Sequence, residues 1–207
     1  MTSKTIRSGA LAQWLMLLIV GCNIPTPPIT SQPGTTTTII MVRHAERDPG
    51  TDPPLNAEGQ ARAQVLSTIL EQNGVTAIYT VNYIRNRQTV QPLADKLGLT
   101  PSLVDPIRLL DTKNLANQLV TEWLGKHAGG VVLWVGNVGT TTGQNGTLED
   151  IYRLFGGTGA PPNRYQDMTI FVVPEASKGK PSIIRTTYGP PSSLDPQPPP
   201  PPPPPAP

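Results

Sequence analysis

Hydrophobic positions along the chain fall into short β-branched runs that alternate with helical stripes. The run Thr38-Ile39-Ile40-Met41-Val42 is apolar at consecutive positions, as a strand buried on both faces is, and it stops abruptly at Arg43-His44-Ala45-Glu46. Arg47 to Pro54 carries Asp-Pro-Gly and Asp-Pro-Pro and reads as a turn-rich loop across the sheet face. Asn56 then suits an N-cap for a helix whose stripe is Ala61, Val65, Leu66, Ile69 and Leu70, with Gly74 as its C′ residue. Val75 to Thr80 is a second strand. Leu93, Ala94 and Leu97 form the next stripe, closed by Gly98, and Pro92 is expected to kink this helix or mark its start. Ser102 to Asp105 gives a weak third strand signal, and Leu115, Leu119, Trp123 and Leu124 mark a helix ending before Gly129-Gly130.

Val131 to Val135 is the clearest buried strand after the first, and it runs out into Gly136-Asn137-Val138-Gly139-Thr140. Leu148, Ile151, Tyr152, Leu154 and Phe155 predict a short helix stopped by Gly156-Gly157. Thr169 to Val173 and Ser182 to Thr187, joined through Lys178-Gly179-Lys180, predict an antiparallel hairpin at a sheet edge. Strand, turn and helix in repeated order is what parallel crossovers require. In such α/β sheets ligands bind beyond the C-terminal ends of strands, which places Arg43, His44, Arg85 and Asn137 where chemistry is expected.

The two ends differ from this middle. Lys4 and Arg7 precede an apolar run from Leu11 to Val20, too short to span a bilayer comfortably, and Gly21-Cys22 follows. This is a signal-peptide pattern, and Leu18 to Cys22 resembles the bacterial lipoprotein box, which implies lipidation of Cys22 after removal of residues 1–21. The expected organisation is a signal peptide over 1–21, a flexible tether over 22–36, a folded domain over 37–189 and a disordered polyproline tail over 190–207. The tail holds 12 of the 26 prolines and offers a surface that a proline-binding protein partner would recognise. Cys22 is the only cysteine, so no intramolecular disulfide forms. Of 16 basic and 14 acidic residues, Lys4 and Arg7 leave with the signal, so the mature chain is formally neutral and carries no nucleic-acid footprint. A lipid anchor places the domain on the bacterial cell envelope, facing the periplasm. Asn23 after Cys22 lacks the acidic residue of an inner-membrane retention signal, which favours the outer membrane.

Three stretches in order, Arg43-His44-Ala45-Glu46, Pro54-Leu55-Asn56-Ala57-Glu58-Gly59-Gln60-Ala61 and Arg85-Asn86-Arg87-Gln88-Thr89, resemble the histidine phosphatase (phosphoglycerate mutase-like) superfamily, in its small bacterial branch with RHAE in place of RHGE. The resemblance covers roughly residues 37–189. It implies a three-layer α/β fold, with a mostly parallel central sheet, helices on both faces and an antiparallel edge hairpin. It further implies a phosphohydrolase in which His44 attacks phosphorus to form a phosphohistidine, with Arg43 and Arg85 binding the phosphoryl oxygens of a small phosphorylated substrate. No cofactor is expected, and no spacing of His, Cys, Asp or Glu suggests a metal site.

The chain departs from that family at one point. The family places a second histidine after the fourth strand, whereas this chain has Asn137 there, or Gln144-Asn145 if aligned backwards from Gly156-Gly157. His127, the remaining histidine, falls at the opposite end of the strand and reads as a helix C-terminal cation. Asn137 can donate to phosphate but carries no charge, which is expected to slow phosphoryl transfer. The general acid is left open: Asp111 and Asp105 lie in the relevant segment, and Glu46 is either an acid or the structural partner of an arginine. Three readings follow: a lipid-anchored phosphohydrolase of reduced activity, a pseudophosphatase that binds a phosphate ligand or a protein, and an envelope tether.

Overall fold

The computed structural model describes residues 29–139 and 146–195. The signal segment, Cys22 and the proline run from Pro196 onward lie outside the described residues. Chain order is β1 (Thr36–Arg43), α1 (Ala57–Leu70), β2 (Val75–Val81), α2 (Ile84–Leu97), β3 (Ser102–Val104), α3 (Thr112–Lys126), β4 (Val131–Gly136), α4 (Thr147–Leu154), β5 (Asp167–Pro174) and β6 (Ser182–Thr187). Single 3-10 turns cover Pro106–Asp111 and Ala176–Lys178.

The strands form one six-stranded sheet in the order β3-β2-β4-β1-β5-β6. β1 pairs in parallel with β4, β4 with β2 and β2 with β3, while β5 runs antiparallel to both β1 and β6. The expected α/β architecture with its antiparallel edge hairpin is therefore observed. Its three layers follow from the two-residue period of the strands. Ile40 and Val42 of β1 and Leu133 and Val135 of β4 meet Leu66 and Leu70 of α1 and Val90 and Leu93 of α2. Ile39, Met41, Val132 and Trp134 face the other way, onto Leu119 and Trp123 of α3 and Leu148 and Ile151 of α4. A register shift between Val75 and Ala77 in β2 turns those two residues to opposite faces.

Local expectations hold with small corrections. Asn56 caps α1, its side chain accepting from the Gly59 amide at 2.9 Å, and Gly98 ends α2 in the left-handed region. α1 stops at Leu70 rather than running to Gly74, whose positive φ of 69° serves the turn into β2. Pro92 does not mark a helix start: α2 begins at Ile84 and continues through it. Buried packing of Val90, Leu93 and Ala94 outweighs the hydrogen bond that proline forfeits to Gln88.

Both domain limits also move outward. Ser31 is buried, its amide donating to the Pro174 carbonyl at 2.9 Å and its hydroxyl meeting Thr37 Oγ1 at 2.6 Å. At the other end Ser192 is 1 % exposed and Asp195 is 9 % exposed, so the chain is packed through residue 195 rather than released at 189. Composition missed these segments because polar contacts, and not an apolar stripe, tie them down. Among the described residues no helix is long and apolar enough to cross a membrane.

One contact sets how closely α1 can approach β1. An ideal Cβ on Gly59 would lie 2.0 Å from the Glu46 carbonyl oxygen, in the first turn after the β1 end. Gly59→Ala must push α1 off that loop, and urea unfolding is expected to show a loss of about 1–3 kcal/mol in stability relative to the wild type.

Candidate active site

β1 and β4 are neighbours, so their C-terminal ends deliver Arg43-His44 and Gly136-Asn137 side by side. The residues after β1 are then fastened one by one. The His44 amide donates to the Gly136 carbonyl at 3.1 Å, extending the ladder by a residue. The Ala45 amide donates to Thr89 Oγ1 at 2.9 Å, and that hydroxyl donates to the Arg85 carbonyl at 2.8 Å. Glu46, fully buried, accepts Arg62 Nε on both carboxylate oxygens, at 2.7 and 2.9 Å, and its own carbonyl accepts the Asn56 amide at 3.1 Å. The strand end is thus held by β4, α2 and α1 at once.

His44 is 3 % exposed, and its Nδ1 lies 2.8 Å from the Ala45 carbonyl. A carbonyl only accepts, so Nδ1 carries the proton and Nε2 keeps its lone pair. Burial pushes the imidazole pKa from 6.5 down to about 3; the Ala45 carbonyl opposes this, and the charges of Arg43, Arg85 and Arg47 add to it. The ring is neutral and nucleophilic throughout the physiological range.

The three arginines surround it. Arg43 donates from Nη1 to the Asn163 carbonyl at 2.9 Å and from Nη2 to the Tyr165 hydroxyl at 3.1 Å, and its guanidinium lies 3.8 Å from the Tyr165 ring centroid. The same tyrosine ring meets His44 edge-on at 5.9 Å. Arg85 donates to Asp52 Oδ1 at 3.1 Å and stacks at 4.1 Å over Tyr83. Arg47 donates to the carbonyls of its own loop, at Asp48 and Gly50. Burial lowers the pKa of both Arg43 and Arg85, and repulsion from Arg47 lowers each further, yet a guanidinium stays charged at any working pH. The Nε atoms of all three are buried without a hydrogen-bond partner among the described residues. Such a cluster is arranged to receive a multiply charged anion with several oxygens.

Asn137 sits half-buried at the end of β4, its Oδ1 accepting from Asn86 Nδ2 at 3.3 Å, which leaves its amide N–H groups as what it can offer an anion. Residues 140–145, which include the alternative alignment at Gln144-Asn145, lie outside the described residues and contain no histidine. The structure does not bring the expected acids to the site. Asp111 is exposed and caps α3 by accepting from the Asn114 amide, and Asp105 caps the preceding 3-10 turn. Glu46 is the structural partner of Arg62. His127 meets Tyr79 at the far end of the sheet.

Sequence reasoning missed Asp52, which accepts the Ile84 amide at the start of α2 as well as Arg85. It also missed Tyr165, which reaches the site because β5 is antiparallel to β1: Val42 pairs with Met168, so the loop before β5 ends beside Arg43. Arg47, read as uncertain, belongs to the charge cluster, while Arg87 pairs with Asn82. Among the described residues no group of three His, Cys, Asp or Glu side chains is placed to hold a metal ion.

Residues 39–151 match the sequence pattern of the histidine phosphatase superfamily, branch 1, and the chain belongs to that superfamily. No curated protein matches the sequence. Among solved structures the chain is similar to the protein histidine phosphatase SixA complexed with tungstate, at 16% identity and TM-score 0.56, over 72% of this chain and 96% of that one. It is also similar to a mycobacterial glucosyl-3-phosphoglycerate phosphatase (14% identity, TM-score 0.51, 66% and 90% of the two chains). A third similar structure is Bacillus stearothermophilus YhfR (22% identity, TM-score 0.52, 65% and 90%). At these identities the likeness establishes the fold.

The His44 pKa carries a consequence for stability. Between about pH 6.5 and 3 the unfolded chain holds a proton on this imidazole that the folded chain does not, so this group makes stability fall as pH drops through that window. Urea unfolding at pH 7, 5 and 4 should show a shallower loss of stability for His44→Asn than for the wild type. Parallel slopes would contradict the assignment.

Proposed function

We propose that the protein is a phosphohydrolase working through a phosphohistidine at His44. The observation that carries this reading is a buried, neutral imidazole, its Nδ1 proton held by a carbonyl, set among three guanidiniums. In the first step Nε2 forms a bond to phosphorus while the ester oxygen departs with its electron pair. The ring becomes formally cationic, and the Ala45 carbonyl on Nδ1–H stabilises that charge. Arg43, Arg85 and Arg47 bind the phosphoryl oxygens in both steps. Water then attacks phosphorus, the P–N bond breaks, and inorganic phosphate and neutral His44 are regenerated.

Proton supply to the leaving oxygen is the weak part of this site. All 14 side-chain carboxylates of the chain fall among the described residues; Glu46, Asp105 and Asp111 are committed elsewhere, and Asp52 is engaged with Arg85 and the Ile84 amide. The substrates that suit such a site have leaving groups that depart without protonation by an acid of the enzyme. Aryl phosphates and phosphoramidates qualify, and the latter include the phosphohistidine proteins of SixA's name; simple alkyl phosphates do not. Asn137 in place of a cationic second histidine weakens charge stabilisation, by roughly two to three orders of magnitude in rate. The second reading, a module that binds a phosphate ligand or a protein without turnover, is favoured by that same asparagine.

The separating experiment uses a series of aryl phosphates of increasing phenol pKa, with tungstate binding measured alongside. The expected outcome is slow hydrolysis that falls steeply along the series, is abolished in His44→Ala and rises in Asn137→His. Tungstate binding without hydrolysis in either the wild type or Asn137→His would establish the binding module instead.

We also propose that Cys22 carries the lipid that anchors the domain to the cell envelope, with the outer membrane favoured and the proline run free to engage a protein partner. Cys22→Ala in the full chain is expected to move the protein from the membrane fraction to the soluble periplasm; an unchanged distribution would refute the anchor.

A further inference from the structure

The segment after β6 makes contacts out of proportion to its length. Arg62, on α1, donates from Nη1 to the Tyr188 carbonyl at 3.0 Å and from Nη2 to the Pro190 carbonyl at 2.8 Å, while its Nε holds Glu46. The Ser193 amide and hydroxyl both donate to Glu58, with the amide at 2.8 Å. Ser192 is buried beneath this turn. The chain is thereby carried across the N-terminal end of α1, and Asp195 is delivered to the loop that precedes β5. Both of its carboxylate oxygens lie within reach of the Tyr165 amide, at 3.3 and 3.2 Å.

That loop is the one that faces Arg43. A second carboxylate, Asp167, folds its other side by accepting the Asn163 amide at 3.1 Å, the Arg164 amide at 3.0 Å and Arg164 Nε at 2.9 Å. The result points the Asn163 carbonyl at Arg43 Nη1 and lays the Tyr165 ring, 6 % exposed, against the Arg43 guanidinium and the His44 edge.

We propose that Asp195 is a positioning residue of the active site: by holding the Tyr165 backbone it fixes the platform on which Arg43 is oriented and which closes one side of His44. The link is long-range, since no side chain of the segment 190–195 touches His44 itself in the contacts above. An arginine on a flexible stem has many rotamers, and orienting it in advance removes an entropic cost from anion binding. The Asp195 charge also favours the Arg43 cation electrostatically, although burial raises the Asp195 carboxyl above its ordinary pKa.

The proposal rests on Arg43 as an anion ligand, and its test is read in two independent ways in the full-length chain. Tungstate affinity reports on Arg43. Nitrogen NMR titration of the imidazoles, of which there are two, reports on whether His44 remains sealed. Asp195→Ala is expected to weaken tungstate binding about tenfold and to raise the His44 pKa from about 3 toward 6.5, whereas Asp195→Asn, which keeps an acceptor for the Tyr165 amide, stays within about twofold of the wild type. Tyr165→Phe, which removes the hydroxyl from Arg43 Nη2, should weaken tungstate binding, and adding Asp195→Ala to it should cost less than Asp195→Ala alone. Wild-type affinity and titration in Asp195→Ala would overturn the proposal. So would an Asp195→Asn variant as weak as the alanine, because the charge and not the amide contact would then be at work. If the wild type binds no tungstate, the anion-site reading fails separately and the His44 titration alone decides. If Asp195→Ala does not fold, Asp195→Asn and Tyr165→Phe still give both readouts.

Discussion

A single buried ion pair, Arg62 with Glu46, stands behind the rest of the molecule. The two side chains are 2 % and 0 % exposed, and neither charge would be tolerated at that depth without the other. Burial alone would lower the Arg62 pKa, but the hydrogen bonds and charge of Glu46 outweigh it and raise it instead. The remaining donors of the guanidinium go to carbonyls at Tyr188 and Pro190, so one side chain joins the catalytic loop, α1 and the end of the chain. Glu46 is two residues past His44. Its fixed carboxylate therefore determines where the backbone turns after β1, and with it the direction in which the imidazole points.

The division of labour among the charges follows from this arrangement. Glu46 is neutralised by an arginine that plays no part in anion binding, which leaves Arg43 and Arg47 without a carboxylate ion-pair partner among the described residues and Arg85 with Asp52 alone. The positive potential that results suppresses protonation of His44 and at the same time attracts the oxyanion. One electrostatic field thus prepares both partners of the reaction. Loss of the second histidine reduces that field without dismantling it, since Asn137 keeps its place at the β4 end beside Asn86.

What could be read from the sequence was whatever short-range chemistry encodes. The strand Thr38 to Val42 is apolar on both faces because helices cover both, and a motif attached to its end inherits its position. Asn56 and Gly98 announced helix ends through their own conformational preferences. Asp52 and Tyr165 were invisible for the opposite reason: their roles depend on partners 33 and 122 residues away, and nothing local distinguishes a loop aspartate that clamps Arg85 from one in solvent. Asp111 misled in the same way, because a helix-capping aspartate and a catalytic one look alike beside Leu-Asp-Thr. The ends of the domain escaped notice because serines and prolines, rather than an apolar stripe, hold them.

The direction of β5 has a wider meaning. In a wholly parallel sheet only loops that follow strands can reach the ligand end, so the site is written by segments whose length also sets the crossover helices. Reversing one central neighbour of β1 opens a different entrance: the segment from Phe155 to Gln166 arrives at the pocket from an edge hairpin and carries no crossover. That segment can lengthen, shorten or change its aromatic residue without disturbing the packing of the parallel strands. Substrate preference in this architecture is therefore a property that can drift independently of the machinery that attacks phosphorus.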